Sequence, residues 1–325
     1  MSRPLCLVTG ATGAIGPGIV AALSATHDVR TLSRRPGAAA QFRVPVQSFT
    51  GDVTVADSVL RAMQDVDIVI HLAALLHLVD PPPSMRGEYE RINVGGTGIV
   101  LDAARSQGVS RVVLMSTIAV YGYAGRSVLH EESPTTPDTL YGETKLAAER
   151  LALATGARDG RPLVTVLRSA AVYGPRVKGN YQRLVIALAK RRFVPIGLGD
   201  NLRTLVHEDD LAAATARAAV HPAAGGRIYN VSDGHPHRLS DIIAAISTAL
   251  GRQPPRWHVP VTPVRAALRA ASIVNRKLPR MLDKYLEEVA VDGSRIQEEL
   301  GFHPAVALQD GWRRTIGAMR QEGRL

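Results

Sequence analysis

The chain has 325 residues, of which 46% are hydrophobic and 21% are charged. This composition excludes a disordered or fibrous chain, and the length suits two domains of unequal size with an ample core. The formal net charge is +10, but the basic residues are scattered and only 4% of residues are aromatic. With no nucleic-acid-binding motif, a nucleic-acid partner is not expected, and the basic balance suits anionic small molecules instead.

The chain carries one cysteine, Cys6, in the first predicted strand. An intramolecular disulfide is therefore impossible, which favours a reducing compartment. No basic-then-apolar leader precedes the first strand, and no apolar run is long enough to span a bilayer. We expect a cytoplasmic protein with no stable membrane insertion and no metal site.

Strand and helix patterns alternate along the first two thirds of the chain. The predicted strands are 4–9, 29–33, 46–50, 67–72, 111–116 and 162–168. The predicted helices are 15–25, 55–64, 88–107, 140–156, 180–191 and 209–220. This alternation predicts an α/β fold in which a doubly wound parallel sheet is covered by helices on both faces.

The first strand–helix junction carries Gly10, Gly13 and Gly16. Glycine permits a tight turn and lets a pyrophosphate approach the bare backbone. The N-terminus of the following helix adds unpaired N–H groups and a positive dipole end. A glycine trio alone is a weak signal, but at the first junction of an alternating pattern it predicts a dinucleotide site.

The second strand ends in Ser33, Arg34 and Arg35, without the Asp or Glu that would hydrogen-bond the adenosine ribose of NAD. A guanidinium matches phosphate geometry, so these residues favour the 2′-phosphate of NADP(H). The alternative is a pair of solvated loop arginines. We expect NAD(P) as the cofactor, with NADP(H) mildly favoured over NAD(H).

Hydroxyl groups and a Tyr–Lys pair follow in the middle of the chain. The strand 111–116 leads into Ser116 and Thr117, at the end of the sheet where ligands bind. Tyr141 and Lys145 stand four residues apart on a predicted helix, so both side chains lie on one face. A nearby ammonium lowers the pKa of a phenol and prepares it for proton transfer. These motifs predict a nicotinamide-dependent oxidoreductase acting on an alcohol or a ketone.

Six motifs resemble, in the same order, those of extended short-chain dehydrogenases/reductases. They are TGATGAIG from Thr9, HLAA from His71, NVGGT from Asn93, STIAVYG from Ser116, YGETK from Tyr141 and LRSAAVYGPR from Leu167. The resemblance covers nearly the whole chain and is closest to the NAD(P)-dependent nucleotide-sugar epimerase/dehydratase family, the relatives of UDP-galactose 4-epimerase. It implies a Rossmann-type doubly wound parallel sheet with a smaller C-terminal substrate-binding α/β domain.

The resemblance assigns roles by position in these motifs. Thr117, Tyr141 and Lys145 match the family's catalytic residues. Asp52 and Val53 resemble its adenine contact. With the residues that end the second strand, the expected cofactor-binding set is Gly10, Thr12, Gly13, Ala14, Ile15, Gly16, Ser33, Arg34, Arg35, Asp52, Val53, Leu72, Ala73, Ala74, Asn93, Tyr141 and Lys145.

The expected substrate-binding residues are Ser116, Asn180, Arg203 and Arg280. The resemblance implies a nucleotide-diphosphate sugar as the substrate, with Arg203 and Arg280 on the diphosphate. For Arg203, an ion pair with Asp200 or Glu208 is the alternative.

The resemblance places a dinucleotide-binding domain at 1–175, with 203–231 returning to it. The substrate-binding domain comprises 176–202 and 232–325. A basic, alanine-rich helix at 263–277 lies in the second domain. It could lie on a membrane surface, but large apolar anchors are few, which favours packing between the domains.

Dehydratases of the family carry an Asp–Glu pair directly after the catalytic Thr, where this chain has Ile118 and Ala119. Neither side chain can transfer a proton, which argues against dehydration. The first hypothesis is a nucleotide-diphosphate-sugar epimerase, acting at the sugar 4-position by transient hydride transfer. The alternative is an NADPH-dependent 4-keto-sugar reductase or a hydroxysteroid-type dehydrogenase. A non-catalytic cofactor sensor is a third hypothesis, which the intact Thr–Tyr–Lys set disfavours.

The resemblance also implies a homodimer, formed through two helices of each subunit. In this chain those helices correspond to 88–107 and 140–156.

Overall fold

The structure is a computed structural model of the chain. It describes residues 3–76, 78, 81–123, 125, 127–157, 159–176, 179–271 and 277–325, with the backbone alone for 270–271 and 277–281. Among the described helices, none is both long and apolar enough to cross a membrane.

A parallel sheet forms the centre of the molecule. In chain order the strands are β1 (Leu5–Thr9), β2 (Asp28–Ser33), β3 (Gln47–Thr50), β4 (Ile68–His71), β5 (Arg111–Thr117), β6 (Val128–Leu129), β7 (Val164–Ser169), β8 (Ala171–Tyr173), β9 (Leu202–Arg203), β10 (Leu205–His207), β11 (Ile228–Val231), β12 (His237–Arg238) and β13 (Ala290–Val291). Within the described residues, seven of them pair in the order β11-β7-β5-β4-β1-β2-β3, every pair parallel. The chain order reverses between β1 and β4, which is where such sheets open a ligand crevice.

Helices cover both faces of the sheet and form most of the C-terminal region. They are α1 (Gly16–Ser24), α2 (Ala56–Met63), α3 (Arg86–Tyr89), α4 (Gly96–Gln107), α5 (Leu140–Ala154), α6 (Asn180–Ala189), α7 (Glu208–Val220), α8 (Leu239–Ala249), α9 (Val261–Ala271), α10 (Lys277–Leu286), α11 (Ser294–Leu300) and α12 (Leu308–Gln321). A π-helical segment, Glu90–Gly95, joins α3 to α4. Such a segment is frequent at functional sites.

The strands are apolar on both sides because each face of the sheet packs against helices. Buried side chains of one cluster lie between the sheet and α1 and α7, and those of a second cluster lie between the sheet and α2 and α4. Cys6 lies fully buried in β1. Burial raises the pKa of its thiol to about 12, and the charge of Asp67 adds to the effect.

A separate apolar cluster organises the C-terminal region. Trp312 of α12 is stacked on Tyr173 of β8 with ring centroids 4.6 Å apart, and α12 packs against α8. This cluster joins segments that flank β11 in the sequence. The chain therefore leaves the central sheet after β7, builds part of the second region, and returns to the sheet through β11.

The α/β architecture predicted from the alternation is confirmed. The six predicted strands and the six helices predicted between 15 and 220 all form, with ends shifted by a few residues. Of the predicted helix 263–277, the described part forms the end of α9 and the start of α10, and 272–276 lie outside the described residues. The predicted helix 88–107 instead contains the π-helical segment. The strand β11 was not among the predicted strands, because its four residues, Ile228 to Val231, include a buried asparagine that interrupts the apolar run.

Candidate active site

The turn between β1 and α1 lies where the sheet order reverses. Gly10 has φ +69°, and a side chain there would lie 2.6 Å from the backbone nitrogen of Ala73 in the loop after β4. A side chain on Gly16 would overlap the carbonyl oxygen of Ala11. Glycine at these positions lets the two loops touch and leaves the backbone bare along the crevice.

The N-terminus of α1 faces this crevice. The helix begins at Gly16, whose N–H donates to the Gly13 carbonyl at 3.3 Å, and Pro17 has no N–H. The dipole of the helix and its remaining first-turn N–H groups favour an anion. Around the turn, the following predicted cofactor residues are at least partly exposed: Gly10, Thr12, Gly13, Ala14, Ile15, Leu72, Ala73 and Ala74. The turn therefore fits the pyrophosphate of a dinucleotide.

A charged cluster lies beyond the end of β3. Asp52 accepts hydrogen bonds from the backbone nitrogen and the hydroxyl of Thr54, both at 2.9 Å. Burial raises the pKa of Asp52, but these bonds and the charges of Arg34 and Arg91 outweigh it, so the pKa lies below its ordinary value. Arg91 also donates to the Thr54 hydroxyl at 3.0 Å. Sequence reasoning missed Arg91, because it reaches this cluster only through the fold.

Two of the predicted cofactor residues near this cluster are buried. The Ser33 hydroxyl donates its only hydrogen to the carbonyl of Arg35 at 3.1 Å. In the chain by itself this bond occupies the Ser33 hydroxyl, and the contact of Ser33 with a 2′-phosphate stays a prediction. Val53 packs against α4, where a side chain on Gly96 would lie 3.1 Å from its Cγ2. Arg34 and Arg35 are both exposed.

His71 lies at the end of β4, within a directional chain of hydrogen bonds. The Thr97 hydroxyl donates its hydrogen to the Asn93 carbonyl at 2.6 Å, so His71 Nε2, 3.1 Å away, must donate to Thr97. Nδ1 then accepts from the Thr9 hydroxyl at 2.7 Å. Burial lowers the pKa of His71 to about 3, and the charge of Lys145 adds to this. His71 is thus a neutral, packed residue, which agrees with the hydrogen-bond pattern.

Asn93 fastens the Tyr–Lys helix to the loop after β4. Its side-chain oxygen accepts from the backbone nitrogen of Leu75 at 2.7 Å, and its amide donates to the Leu75 carbonyl at 3.2 Å and to the Thr144 hydroxyl at 3.1 Å. Thr144 directly precedes Lys145 on α5. The predicted cofactor residue Asn93 is therefore fully committed to the protein and fixes the position of Lys145 relative to the crevice.

The end of β5 meets the start of α5. Thr117 ends β5, and its hydroxyl accepts from the backbone nitrogen of Ala119 at 3.2 Å. Thr139 caps α5 by accepting from the backbone nitrogen of Gly142 at 3.1 Å. A side chain on Gly142 would lie 2.7 Å from the Ala119 carbonyl oxygen. This close approach places the first turn of α5, which carries Tyr141, directly beside the turn that follows Thr117.

Tyr141 and Lys145 are both shifted towards their neutral forms. Burial raises the pKa of Tyr141 to about 12, and the charge of Tyr89 adds to the shift. Burial lowers the pKa of Lys145 to about 8, against the opposing charge of Glu149. Burial dominates the pKa of the phenol in the chain by itself, and the lowering of that pKa by Lys145 stays a prediction. A phenol in this state keeps its proton at neutral pH and can act as a hydrogen-bond donor.

A buried ion pair lies beneath the Tyr–Lys helix. Arg168 donates to the Glu149 carboxylate through Nη2 at 2.7 Å, and both side chains are almost fully buried. The Ser116 hydroxyl also donates to this carboxylate, and Ser116 is only 2% exposed. In the chain by itself the Ser116 hydroxyl orders the buried pair, and its contact with substrate stays a prediction.

The predicted substrate residues lie on separate elements. Asn180 is exposed at the start of α6 and, with Tyr181, lines a cavity of about 40 Å³, far too small for a nucleotide sugar. Arg203 donates through Nη2 to the carbonyls of Lys284 and Tyr285, at 2.8 and 3.0 Å.

The alternative for Arg203 was an ion pair with Asp200 or Glu208. Among the described residues Glu208 instead pairs with Arg176, at 3.2 Å. The side chain of Arg280 lies outside the described residues.

Arg176 is a further residue that sequence reasoning missed. A side chain on Gly18, in the first turn of α1, would lie 3.3 Å from its Nη2. The guanidinium therefore lies beside the anion-binding end of α1. Burial raises the pKa of its partner Glu208 to about 7, against the opposing charge of Arg176. The motif that ends in Arg176 was recognised, but only the fold shows that it returns to the glycine turn.

The fold and site define a dinucleotide-binding protein of the short-chain dehydrogenase/reductase class. Its sheet opens at a switch point lined by glycines, and a Tyr–Lys helix lies against the same edge. The model of the NAD dependent epimerase/dehydratase family matches residues 6–232. The chain belongs to this family and is an extended short-chain dehydrogenase/reductase enzyme that depends on NAD(P).

Characterised relatives span nearly the whole chain. A UDP-glucose 4-epimerase from Vibrio cholerae is 28% identical and covers 97% of this chain and 95% of its own. A dTDP-glucose 4,6-dehydratase from Streptomyces griseus is 32% identical and covers 95% and 92%. The solved structure of MoeE5 in complex with UDP-glucose and NAD is 28% identical, covers 98% and 99%, and superposes with a TM-score of 0.77.

Proposed function

We propose that the chain is an NAD(P)-dependent nucleotide-diphosphate-sugar epimerase that acts at the sugar 4-position. The observation that carries the proposal is the placement of α5. Asn93 and Thr144 hold its Tyr141–Lys145 face against the cofactor crevice, and Gly142 presses its first turn against the turn after Thr117. The similarity to a UDP-glucose 4-epimerase over nearly the whole chain supports the same conclusion.

In the proposed reaction, Tyr141 exchanges the proton of the sugar hydroxyl and Thr117 hydrogen-bonds the same oxygen. Lys145 adds a positive charge beside the phenol and orients the ribose of the cofactor. The bound nicotinamide supplies reversible hydride transfer. The keto sugar must then rotate within the site, so that the hydride returns to the opposite face of the sugar.

Ile118 and Ala119 distinguish this proposal from dehydration. The 32% identical dTDP-glucose 4,6-dehydratase makes dehydration the first competitor. Elimination of water needs an acid and a base on the substrate. The two residues after Thr117 are apolar here, and Ile118 is buried. The first two residues of this turn therefore supply no proton-transfer group.

A second candidate is an NADPH-dependent 4-keto-sugar reductase, and the charged cluster at Asp52 favours it. Arg34 and Arg91 both act on Asp52 and offer cations where an adenosine 2′-phosphate would lie. We propose that this pair, rather than Arg34 with Arg35, recognises NADP(H). A charge-assisted contact to phosphate contributes about 1.5–3 kcal/mol, or roughly a factor of ten to a hundred in affinity.

Calorimetric titration of the protein with both cofactors tests the cofactor proposal. We expect Arg34→Ala with Arg91→Ala to weaken NADP(H) binding by about ten- to a hundredfold and to leave NAD(H) within a few fold. Arg35→Ala is the matched control, and its affinities should stay near those of the wild type. Equal affinities for NAD and NADP in the wild type would contradict the proposal and favour the epimerase over the reductase.

Incubation with UDP- and dTDP-sugars, with and without NADPH, tests the reaction. Interconversion of sugar epimers without net change in the cofactor is the expected result. Consumption of NADPH would identify a reductase. Release of a 4-keto-6-deoxy sugar would contradict the argument from Ile118 and Ala119.

We also propose that the chain forms a homodimer through α4 and α5. These helices pack against each other, and Leu151 and Leu153 of α5 are each 39% exposed. Light scattering of the purified protein should give twice the chain mass. A monomer at micromolar concentration would contradict the proposal.

A further inference from the structure

Two neighbouring segments of the C-terminal region, 194–198 and 257–261, expose large apolar side chains. Hydrogen bonds join them from the backbone nitrogen of Gly197 to the carbonyl of Val259 and from the nitrogen of Val259 to the carbonyl of Pro195, both 2.9 Å. The exposed fractions are 86% for Trp257, 65% for Leu198, 57% for Val194 and 38% for Val259. We call these four side chains the Trp257 patch.

The Trp257 patch is costly to leave in water. Single exposed apolar residues are ordinary, but several together on one surface indicate a binding surface. The other tryptophan, Trp312, is 1% exposed in the core. An indole on a surface combines an apolar body with a polar N–H, which suits the boundary between water and hydrocarbon.

The stretches that carry the patch are strongly basic. Residues 183–199 and 251–271 contain eight arginines and lysines and no acidic residue: Arg183, Lys190, Arg191, Arg192, Arg252, Arg256, Arg265 and Arg269. Arg252 donates to the carbonyls of Leu188 and Ala189, which brings the two basic stretches together. Arg265 is paired with Asp283 of α10 at 3.5 Å, so part of this charge is compensated.

The segments that carry the patch pack against neighbouring helices. A side chain on Gly197 would lie 3.0 Å from Cγ2 of Val261, at the start of α9, and 3.9 Å from Cδ2 of Leu286, at the end of α10. The apolar anchors that are few in the sequence 263–277 are thus supplied by segments packed against α9. The Trp257 patch and the eight basic residues named above, which we call its basic rim, can therefore act as one surface.

We propose that the Trp257 patch and its basic rim bind the surface of an anionic lipid bilayer. Trp257 and the three aliphatic side chains would enter the headgroup region, while the arginines and lysines contact lipid phosphates. This inference rests on surface chemistry alone and holds whether or not the proposed reaction is correct.

Two other occupants fit the surface less well. A second copy of the chain, docked about a two-fold axis, would bring the same basic stretches face to face, which is repulsive. A nucleic acid would pair with the arginines and could stack on Trp257, but it would gain little from Val194, Leu198 and Val259.

Vesicle binding tests the proposal with the intact protein. The vesicles are phosphatidylcholine with or without phosphatidylglycerol. We expect the protein to sediment with the phosphatidylglycerol vesicles at low salt, to be released at high salt, and to ignore pure phosphatidylcholine. In a Trp312→Phe background, where Trp257 is the one indole, its fluorescence should shift to the blue on binding. If that variant does not fold, sedimentation of the wild type still decides the outcome.

Paired variants assign the effect to this surface. Trp257→Ala should weaken vesicle binding at least tenfold, and Arg191→Gln with Arg192→Gln about thirtyfold, since each cation near an anionic membrane contributes roughly a factor of five. Arg61→Gln with Arg161→Gln removes the same net charge from exposed positions near the central sheet. This control should bind within about threefold of the wild type.

Three outcomes would overturn the proposal. The first is no sedimentation with anionic vesicles at low salt, or equal loss in the control and patch variants. The second is tight binding of an oligonucleotide that quenches Trp257 while vesicles do not bind. The third is a dimer that Trp257→Ala dissociates, which would assign the surface to a second copy of the chain.

Discussion

At the scale of single residues, burial favours the neutral forms of Tyr141 and Lys145 in the active site of the chain by itself. Burial raises the pKa of Tyr141 to about 12 and lowers that of Lys145 to about 8, so burial dominates both pKa values. We expect the negative charge of a bound cofactor to hold Lys145 in its charged form. Catalytic pKa values therefore belong to the complex and not to the chain alone.

The phenol of Tyr141 is the first residue to test. Tyr141→Phe removes the proton route, and acid–base catalysis of this kind is worth about 100- to 10,000-fold. We expect at least that loss in turnover, with cofactor affinity roughly unchanged by titration. Tyr123→Phe, which removes an exposed phenol, is the control and should keep wild-type turnover. A Tyr141→Phe enzyme with substantial activity would remove Tyr141 from the mechanism.

Lys145→Met should damage turnover and cofactor affinity and also change the pH dependence of stability. Because burial depresses the pKa of Lys145 in the folded chain, the unfolded chain binds more protons between about pH 8 and the ordinary lysine pKa near 10.4. The free energy of unfolding of the wild type should therefore gain a contribution as pH rises through this window. Lys145→Met should lack that gain in urea titrations at pH 7.5 and 10. Parallel curves for both proteins would show that the ammonium is solvated.

At the scale of elements, His71 joins β1, β4 and α4 through Thr9 and Thr97. A protonated ring would have to donate from both nitrogens, and the Thr9 hydroxyl would then lose its acceptor. The pKa of His71 is about 3 in the folded chain. Between about pH 3 and 6.5, His71 is therefore protonated in the unfolded chain but not in the folded chain. This histidine therefore removes stability as the solution becomes more acidic.

His71→Gln isolates this contribution. We expect the wild type to lose stability, relative to the variant, as pH falls from about 6.5 towards 3, and the variant to be the less stable protein at pH 7 because the chain of hydrogen bonds is broken. Chemical denaturation at pH 7, 6, 5 and 4.5 measures the difference. A difference independent of pH would show that His71 titrates alike in both states.

Most elements were predictable because the sequence pattern of each element agrees with its burial and position in the fold. The strand β5 is apolar on both faces, and α1 follows a glycine turn at the edge of the sheet. The π-helical segment Glu90–Gly95 was not predictable, since a single π-helical turn has no sequence pattern that separates it from an ordinary helix. Its irregularity accompanies the hydrogen bonds of Asn93 to two other parts of the chain, and such long-range contacts leave no periodic signal in the sequence.

The same distinction holds within the candidate site. Gly10, Tyr141 and Lys145 were recognised from motifs of fixed spacing. Arg91 and Arg176 were missed, because each approaches the crevice from a distant part of the sequence. Ser116 was assigned to the substrate from its position at a strand end, and the structure shows that its hydroxyl points to Glu149. Motif spacing locates the site, whereas the direction of a side chain depends on what is buried beneath it.

At the scale of the whole molecule, the central sheet gains its edge strand β11 only after the chain has passed through the second region. The strand β11 pairs with β7, and between them the chain contributes β8, α6, β9 and β10 to the second region before α7 leads back. The two regions therefore share one continuous framework. A change that loosens the second region is expected to weaken the edge of the sheet as well.

The rate at which the buried thiol of Cys6 is alkylated can report how often the central sheet opens. This thiol is the one sulfhydryl of the chain, it lies in β1 of the central sheet, and its high pKa keeps it protonated and unreactive. An alkylating reagent should therefore react only when the sheet opens, at one equivalent per chain. A ligand that binds the folded form alone lowers the population of the opened form, and with it the labelling rate, by a factor of one plus its concentration divided by its Kd. Labelling rates with NAD and with NADP would then rank the two cofactors without any substrate.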